Sequence, residues 1–261
     1  MIGVVAPHER AGPVIGAELL WRCNDLLASL EREDVAFLRP YLQIVQLERR
    51  VVLGAPGGEA DFVWFPFDCL ASLVCTSRDG TLSEAATLGR EGVINLFSVI
   101  GGCDVAAEAV VQIEGSAGGL SAGVFRQLFD QRPALRRACI GFAGRLVARM
   151  SREVLCSSHH AVVPRLAGWL LGASDRTERK VLPLTQEHLA VLLGVQRSTL
   201  TEAARTLQAF GAISYRRGLI TIQDRQSLEA HACKCYQAGL TILATVHTPF
   251  VAWSNGATWL R

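Results

Sequence analysis

The stretch LTQEHLAVLLGVQRSTLT, residues 184–201, decides the fold of the C-terminal part of this chain. Thr185 can cap a helix, because its hydroxyl can accept a hydrogen bond from a free N–H of the first turn. The apolar residues that follow are spaced to face a core, and Gly194 ends the run because glycine adopts positive φ without strain. A second helix is expected from about residue 196 to Phe210, followed by Gly211. The stretch therefore predicts two short helices around a glycine turn.

The second of these helices has two unlike sides. Its apolar side consists of Leu200, Ala203 or Ala204, and Leu207. Its polar side carries Arg197, Ser198, Thr201, Glu202 and Arg205. A polar, arginine-bearing first turn is what base reading in the major groove of DNA requires, since that groove accommodates one helix. The alternative is a helical pair used only for packing.

Residues 212–222 predict a β-hairpin directly behind this helix. Arg216 and Arg217 form its tip and can contact phosphate. The charge distribution agrees with a polyanionic partner for this half of the chain. Residues 1–132 carry 10 basic and 17 acidic residues, whereas residues 133–261 carry 16 basic and 7 acidic ones. A solvated basic surface is the alternative, but the hairpin, its basic tip and the charge together favour a winged helix-turn-helix that binds DNA.

The part of the chain before this winged helix-turn-helix is predicted to form strands followed by a long helix. Residues 44–47, 50–53, 62–65, 71–74 and 109–113 are β-rich, and turn signals such as residues 118–119 separate strands. Short strands at regular spacing indicate a sandwich, jelly roll or barrel. From Pro133 the period becomes helical, with an apolar stripe at Leu135, Cys139, Phe142 and Leu146. Such a stripe favours pairing with a second copy, and packing on its own domain is the alternative.

Several stretches of the chain resemble the Crp–Fnr superfamily of bacterial transcription regulators. They are residues 184–201, 211–218, 220–225, 228–229 and 233–236 in the C-terminal half, and residues 24–27, 63–66 and 88–92 in the N-terminal half. The resemblance implies an α+β fold with an antiparallel, jelly-roll-like β-roll at residues 25–132, a dimerisation helix at 133–158 and a winged helix-turn-helix at 159–236. An N-terminal extension, 1–24, and a C-terminal tail, 237–261, would flank these parts.

The same resemblance implies a homodimer on a near-palindromic operator, with double-stranded DNA and RNA polymerase as partners. Arg197 matches a base- or phosphate-contacting arginine, and Thr185 and Thr199 match phosphate-contacting threonines. Ser198 stands where many members carry a base-reading Glu, and Glu202 where they carry a guanine-reading Arg. The operators of the best-known members are therefore not transferable. Glu202 can accept from cytosine N4 or pair with Arg205 or Arg197, and both roles stay open.

The predicted roll departs from the cyclic-nucleotide-binding pattern. Asn95 and Leu96 replace the Gly-Glu pair whose Glu holds the ribose, and no Arg lies between Arg90 and Arg126 to hold the phosphate. A phosphate buried without a cation is costly, so cyclic AMP is not expected to bind. Arg90 is the nearest other cation and is otherwise a solvated turn residue. Any other effector stays unknown.

The eight cysteines are scattered, and the chain has no signal peptide and no apolar run of membrane-spanning length, so we expect free thiols and a cytoplasmic protein. No cofactor is expected: only Cys23 lies where the family clusters iron–sulfur ligands, and residues 9–158 lack the His that haem or a jelly-roll metal enzyme needs. Cys233 and Cys235 appear too close in sequence for an ordinary zinc pair, and His159 and His160 are expected to form a hinge or surface pair. No catalytic constellation is present, so the chain is predicted not to be an enzyme. An effector- or oxidant-dependent regulator stays the alternative.

Overall fold

The computed structural model describes residues 20–101 and 107–244. The first described elements are a turn of 3-10 helix, Trp21–Cys23, and a short helix α1, Asp25–Ala28. Helix α2, Arg32–Leu38, and a second 3-10 turn, Arg39–Tyr41, lead into the first strand.

Seven strands form the N-terminal roll. They are β1 Gln43–Leu47, β2 Val52–Gly54, β3 Phe62–Pro66, β4 Leu70–Thr76, β5 Leu82–Leu88, β6 Glu108–Ile113 and β7 Gly115–Ser121. They pair antiparallel in two sheets, β1-β7-β3 and β2-β6-β4-β5, and helix α3, Leu96–Gly101, lies between β5 and β6. The five predicted strands and the α+β class are confirmed, whereas β5 and β7 were not predicted.

The reading of residues 118–119 as a turn signal is wrong, because both glycines lie inside β7. Each faces a large side chain at short range. A Cβ at Gly119 would lie 2.8 Å from Trp64 Cζ3, and one at Gly118 would lie 2.8 Å from Leu42 Cδ1. Glycine in a strand interior often marks such a close approach. Here the missing side chains make room for apolar groups on the two flanking strand segments.

Asn24 joins three of the stretches that carried the family resemblance. Its side chain is fully buried and accepts a hydrogen bond from Leu27 N (3.1 Å), which caps α1. Its amide nitrogen donates to Pro66 O (3.0 Å) and Gly92 O (2.8 Å). A buried amide requires partners for its donors and its acceptor, and Asn24 has them. This one residue therefore fastens α1 to the end of β3 and to the loop after β5.

Three helices follow the roll: α4 Ala122–Gln131, α5 Pro133–His159 and α6 Val162–Thr177. The apolar stripe of α5 is buried within its own chain, with Leu135, Cys139, Phe142 and Leu146 in the core of the roll. The interpretation of this stripe as a seam between two copies is therefore wrong. Sequence period alone shows that a helix has an apolar face and does not show what covers it.

A different stripe of α5 is exposed. Ile140, Val147 and Val154 are 59%, 59% and 66% exposed, and they follow one another at intervals of seven residues. Gly144 and Ser151 lie between them on the same face and are also exposed. Apolar residues that repeat every seven positions with small residues between them favour close packing of two helices.

The C-terminal part forms a second core. It contains β8 Val181–Leu182, α7 Gln186–Leu193, α8 Arg197–Ala209, β9 Ile213–Arg216, β10 Leu219–Ile222, α9 Arg225–His231 and α10 Lys234–Ala244. Leu70 and Ile113 of the roll belong to this second core, so the roll and the C-terminal part share apolar contacts. Helix α10 crosses the predicted start of the tail at residue 237, because Tyr236 and Leu240 pack on the core. Among the helices described, none has the length and apolar character that a bilayer crossing needs.

Candidate nucleic-acid interface

Helix α7 begins and ends as its sequence predicts. The Thr185 hydroxyl accepts a hydrogen bond from His188 N at 3.2 Å, which satisfies one free N–H of the first turn. Gly194 ends the helix at φ 63°, and its N–H reaches Val191 O at 3.1 Å. Thr185 therefore fixes where α7 begins, and Gly194 fixes the turn between α7 and α8.

Helix α8 buries its predicted apolar side and exposes most of its polar side. Leu200, Ala203, Ala204 and Leu207 are at most 3% exposed. The exposed residues of the predicted reading surface are Arg197, Ser198, Thr199, Glu202 and Arg205. Thr201 is half-buried, and its hydroxyl lies 2.9 Å from both Gln186 Oε1 and Arg197 O. Thr201 therefore links α8 to the start of α7.

Glu202 is exposed on α8, and within residues 20–101 and 107–244 its carboxylate makes no ion pair with Arg197 or Arg205. Its backbone carbonyl accepts a hydrogen bond from the Thr206 hydroxyl at 3.0 Å. The carboxylate is thus available as an acceptor on the solvent side of the helix.

Strands β9 and β10 form a hairpin wing beside α8, with β8 on its far edge. Arg217 and Gly218 make a two-residue turn, and both have positive φ, 52° and 78°. Such turns match the right-handed twist of the flanking strands. Arg216 and Arg217 are exposed at the tip, and a Cβ on Gly218 would lie 3.6 Å from Thr185 Cγ2. The wing tip and the cap of α7 are therefore neighbours on one surface.

Polar contacts that the sequence did not predict fasten this part of the chain to the roll. Trp169 Nε1 donates to Glu84 Oε2 at 2.7 Å, and Arg179 Nη2 lies 3.2 Å from Asp68 Oδ2. His188 on α7 hydrogen-bonds to Gln112, a buried residue of β6. No spacing rule connects residues so far apart along the chain.

Glu91 lies at the centre of a buried ion cluster. Arg149 Nη1 of α5 and Arg176 Nε of α6 lie 2.7 and 2.8 Å from Glu91 Oε1. Burial opposes ionisation of Glu91, but Arg176 and Arg149 outweigh it and lower the pKa of this carboxyl to about 2. Arg90, for which the sequence left open a phosphate contact or a solvated turn, pairs with Asp25 at 3.4 Å and with Glu178. The sequence stretch around residues 88–92 thus connects the roll to α5 and α6.

A cavity of about 670 Å³ lies between β5, α5 and α6. Charged side chains on its wall include Glu84, Arg145 and Arg165, beside the Trp169 ring. Desolvation raises the pKa of Glu84 to about 7, although Ser72 and Trp169 donate hydrogen bonds to it. The volume falls within the range of about 300–1,000 Å³ that is usual for small-molecule pockets.

The interior of the roll differs from this cavity. Asn95, at φ 65°, donates from Nδ2 to Leu53 O (2.7 Å) and Phe62 O (3.0 Å). Its side chain leaves no space beside β2, since a Cβ at Gly54 would lie 2.3 Å from Asn95 Oδ1. The adjoining space, between Gly54, Asn95 and Leu146, measures about 30 Å³. That volume is about the share of one water molecule in the liquid.

Four side chains of types that can bind a metal ion converge at the C-terminal end of α5. Cys156, His160, Cys233 and Cys235 have donor atoms that all lie within 4.8 Å of one another. The sequence indicated that Cys233 and Cys235 are too close together for a zinc pair. That prediction did not include Cys156 and His160, which lie beside them in the structure. The neighbouring Cys156 thiol, whose sulfur lies 3.4 Å from Cys233 Sγ, lowers the pKa of Cys233 against the effect of burial.

Known proteins agree with the resemblance seen in the sequence. The family model of the Crp-like helix-turn-helix domain matches residues 164–231. No curated protein matches the chain. The chain is similar in structure to a putative transcriptional regulator of the Crp/Fnr family from Eubacterium rectale, with a TM-score of 0.62 and 15% identity over 80% of this chain and 98% of that one.

Two further solved structures have the same fold. A Crp/Fnr-family transcriptional regulator from Thermus thermophilus gives a TM-score of 0.60 and 20% identity over 73% of this chain and 98% of that one. The c-di-GMP-responsive regulator CLP from Xanthomonas campestris gives 0.60 and 15% over 74% of this chain and 100% of that one. The chain therefore carries a Crp-like helix-turn-helix domain and has the fold of the Crp/Fnr transcriptional regulators, which confirms the resemblance read from its sequence.

Proposed function

We propose that this Crp–Fnr-type transcription regulator acts in the cytoplasm as a homodimer that binds a near-palindromic operator without cyclic AMP. The observation that carries the proposal is the exposed polar face of α8, with Arg197 at its first position. A helix whose first turn is polar and free of packing contacts can enter the major groove and meet base edges. RNA polymerase is the expected protein partner, and catalysis is not part of the proposed activity.

The reading surface divides into base-facing and phosphate-facing groups. Arg197, Ser198 and Glu202 occupy the base-facing positions of α8, and Arg205 extends the same exposed side. Thr185, Thr199, Arg216 and Arg217 are assigned to phosphate. The Glu202 carboxylate makes no ion pair within the described residues, which supports acceptance from cytosine N4, a pairing that suits an acidic side chain in the major groove.

The exposed stripe of α5 supports the proposed dimer. Ile140, Val147 and Val154 can pack on the same residues of a second copy across a two-fold axis. The exposed Gly144 lets the two helices approach closely. Two readers related by this axis would meet two half-sites about one helical turn of DNA apart.

The filled roll supports independence from cyclic AMP. Asn95 occupies the space beside β2, and the remaining 30 Å³ is far smaller than the roughly 300 Å³ at which ligand pockets begin. The Arg nearest to this segment, Arg90, is already paired with Asp25 and Glu178.

Selection of bound sequences from a random DNA library tests the proposal. We expect enrichment of a two-fold-related motif, whose affinity falls steeply as salt rises because phosphate contacts release counterions. Arg197→Ala should weaken binding to the selected operator about 10- to 100-fold. Arg32→Ala is the matched control, because it removes the same charge from an exposed site on the roll.

Two outcomes would contradict the proposal. One is a library that yields no enriched motif. The other is equal affinity of the Arg197→Ala and Arg32→Ala proteins for the operator, which would place base reading elsewhere.

An effector-dependent regulator is the second candidate function, and the cavity of about 670 Å³ between roll and helices favours it. A ligand bound there would contact Glu84 of the roll and Trp169 of α6 at once, and could change how the two parts pack. A screen of small molecules for saturable changes in operator affinity separates this candidate from the first. Glu84→Gln should alter the response to such a ligand and leave the response to salt unchanged.

A further inference from the structure

The end of α5 and the start of α10 bring four potential ligands together. Cys156 and His160 stand four residues apart at the C-terminal end of α5, so both lie on one face of the helix. Cys233 immediately precedes α10, and Cys235 lies in its first turn. Cys156 is buried and the other three are half-buried, so an ion could enter from solvent.

The distances among the four donor atoms fit the coordination shell of one metal ion. Cys156 Sγ lies 3.4 Å from Cys233 Sγ and 3.5 Å from His160 Nδ1. Cys235 Sγ lies 3.6 Å from His160 Nδ1. With Zn–S bonds of about 2.3 Å and Zn–N bonds of about 2.1 Å, a tetrahedral site has S···S edges of about 3.8 Å and S···N edges of about 3.6 Å.

A disulfide does not account for this arrangement. The sulfurs of Cys156 and Cys233 are 3.4 Å apart, whereas a disulfide requires about 2.05 Å. A disulfide would also leave Cys235 and His160 unexplained, although both point to the same centre. Three thiols and one imidazole form the Cys₃His ligand set that is typical of closed, structural zinc sites.

Groups around the cluster favour thiolate ligands. Tyr236 N donates to Cys233 O at 3.0 Å, so the first turn of α10 begins directly at the cluster. The N-terminal end of α10 adds the positive end of a helix dipole, which stabilises negative charge nearby. Cys233 N in turn donates to Pro164 O at 3.3 Å, so the start of α6 holds this ligand in place.

We propose that Cys156, His160, Cys233 and Cys235 bind one divalent, thiophilic metal ion, for which zinc is the best fit. The ion fastens the start of α10 to the last turn of α5. That last turn directly follows Val154, the end of the exposed stripe. The four protein ligands fill the coordination shell, so the role is structural and no open position for substrate is created.

Metal content of the purified full-length chain tests this site. The chain is expressed without an affinity tag, dialysed against buffer after exposure to Zn²⁺, and analysed by mass spectrometry of the metal. We expect one zinc per chain. The Co²⁺-substituted protein should show the absorption of tetrahedral, thiolate-rich cobalt. Cys156→Ser, Cys233→Ser and Cys235→Ser should each lose stoichiometric zinc, whereas Cys75→Ser, which changes a half-buried cysteine of β4, should keep it.

The wild-type chain provides a second test that does not depend on whether the variants fold. A strong chelator should remove the zinc and lower the melting temperature, and added Zn²⁺ should restore it. A chain that keeps no zinc after dialysis, or zinc that is unaffected by Cys156→Ser and Cys233→Ser, would overturn the proposal. A Cys156–Cys233 disulfide in the isolated chain would overturn it in favour of a redox pair if the chain still binds no Zn²⁺ after the disulfide has been reduced.

Discussion

The roll and the winged helix-turn-helix differ in whether their polar side chains are used inside the chain or are exposed to solvent. In the roll, the space that could receive a ligand is filled by Asn95, and the glycines of β7 are covered by Leu42 and Trp64. In the winged helix-turn-helix, the cap at Thr185, the turn at Gly194 and the buried leucines support a polar face of α8 that is mostly exposed. Within one fold, the space beside Asn95 is occupied by the chain's own side chains, whereas the polar face of α8 is exposed.

The difference shows where function can be sought in such a chain. The half-buried Asn95 uses both N–H groups of its amide inside the chain, where they donate to Leu53 O and Phe62 O. Exposed side chains such as Arg197 and Glu202 have hydrogen-bonding groups that a partner can reach. The cavity beside Glu84 lies between the two parts rather than inside the roll.

Breaking the proposed dimer should have the largest effect. Val147→Glu places a charge in the middle of the exposed stripe, so we expect a monomer in analytical ultracentrifugation. Operator affinity should fall by more than about a hundredfold, because two linked half-sites bind far more tightly than one. Val181→Glu, at a valine that is 45% exposed on β8, is the matched control and should leave the mass unchanged. A dimeric Val147→Glu protein would place the seam elsewhere.

A side chain at Gly119 tests whether the roll is as closely packed as described. Gly119→Ala puts a Cβ 2.8 Å from Trp64 Cζ3 and should lower the free energy of unfolding by about 1–3 kcal/mol. Gly123→Ala is the control, because no atom lies within 4 Å of the new Cβ and alanine favours the helix. Urea denaturation measures both. Equal stability of the Gly119→Ala and wild-type proteins would mean that this part of the roll has spare room.

Glu84 makes the junction between the two parts sensitive to pH. Burial raises its pKa from 4.5 to about 7, so this group stabilises the folded state fully below about pH 4.5, and the contribution is lost as pH rises through 7. Glu84→Gln removes the charge and keeps hydrogen-bonding atoms that can contact Ser72 and Trp169. We expect the variant to gain about 2 kcal/mol over wild type between pH 5 and pH 8, at roughly 1.4 kcal/mol per pKa unit.

Thermal or urea unfolding across that range measures the gain. Glu91 serves as the internal contrast, since its pKa of about 2 means that its stabilisation is present above pH 4.5 and is lost only as pH falls towards 2. A constant difference between the Glu84→Gln and wild-type proteins from pH 5 to pH 8 would show that Glu84 does not titrate in that window.

The smallest expected effect is that of cyclic AMP on the wild-type chain. A ligand of the folded state raises stability by about 2.7 kcal/mol at a hundred times its dissociation constant. We expect cyclic AMP to leave both the melting temperature and operator affinity unchanged, because the space beside Asn95 in the described part of the roll measures about 30 Å³. A saturable rise in melting temperature would show that the roll opens for the nucleotide.

Much of the reader was accessible to sequence reasoning, since its signals are local. Thr185 and Gly194 act through hydrogen bonds and φ angles within a few residues, and the leucines of α8 follow a helical period. The structure of the roll could be predicted from the sequence only in part. The glycines of β7 look like a turn until Leu42 and Trp64 are placed above them.

The sequence by itself determined helices α5, α7 and α8, the cap and the end of α7, five strands, the polar face of α8 and the loss of the cyclic-nucleotide pattern at Asn95, because each is read from neighbours along the chain. Only the tertiary structure decided which stripe of α5 is covered, how Glu91 gathers Arg149 and Arg176, and that Cys156 and His160 meet Cys233 and Cys235. The ion pairs of Glu91 and the contacts of Cys156 and His160 with the two C-terminal cysteines join residues 58 to 85 positions apart. No periodicity in a sequence encodes such separations, so they follow only from the packing of the roll, α5, α6 and α10 together.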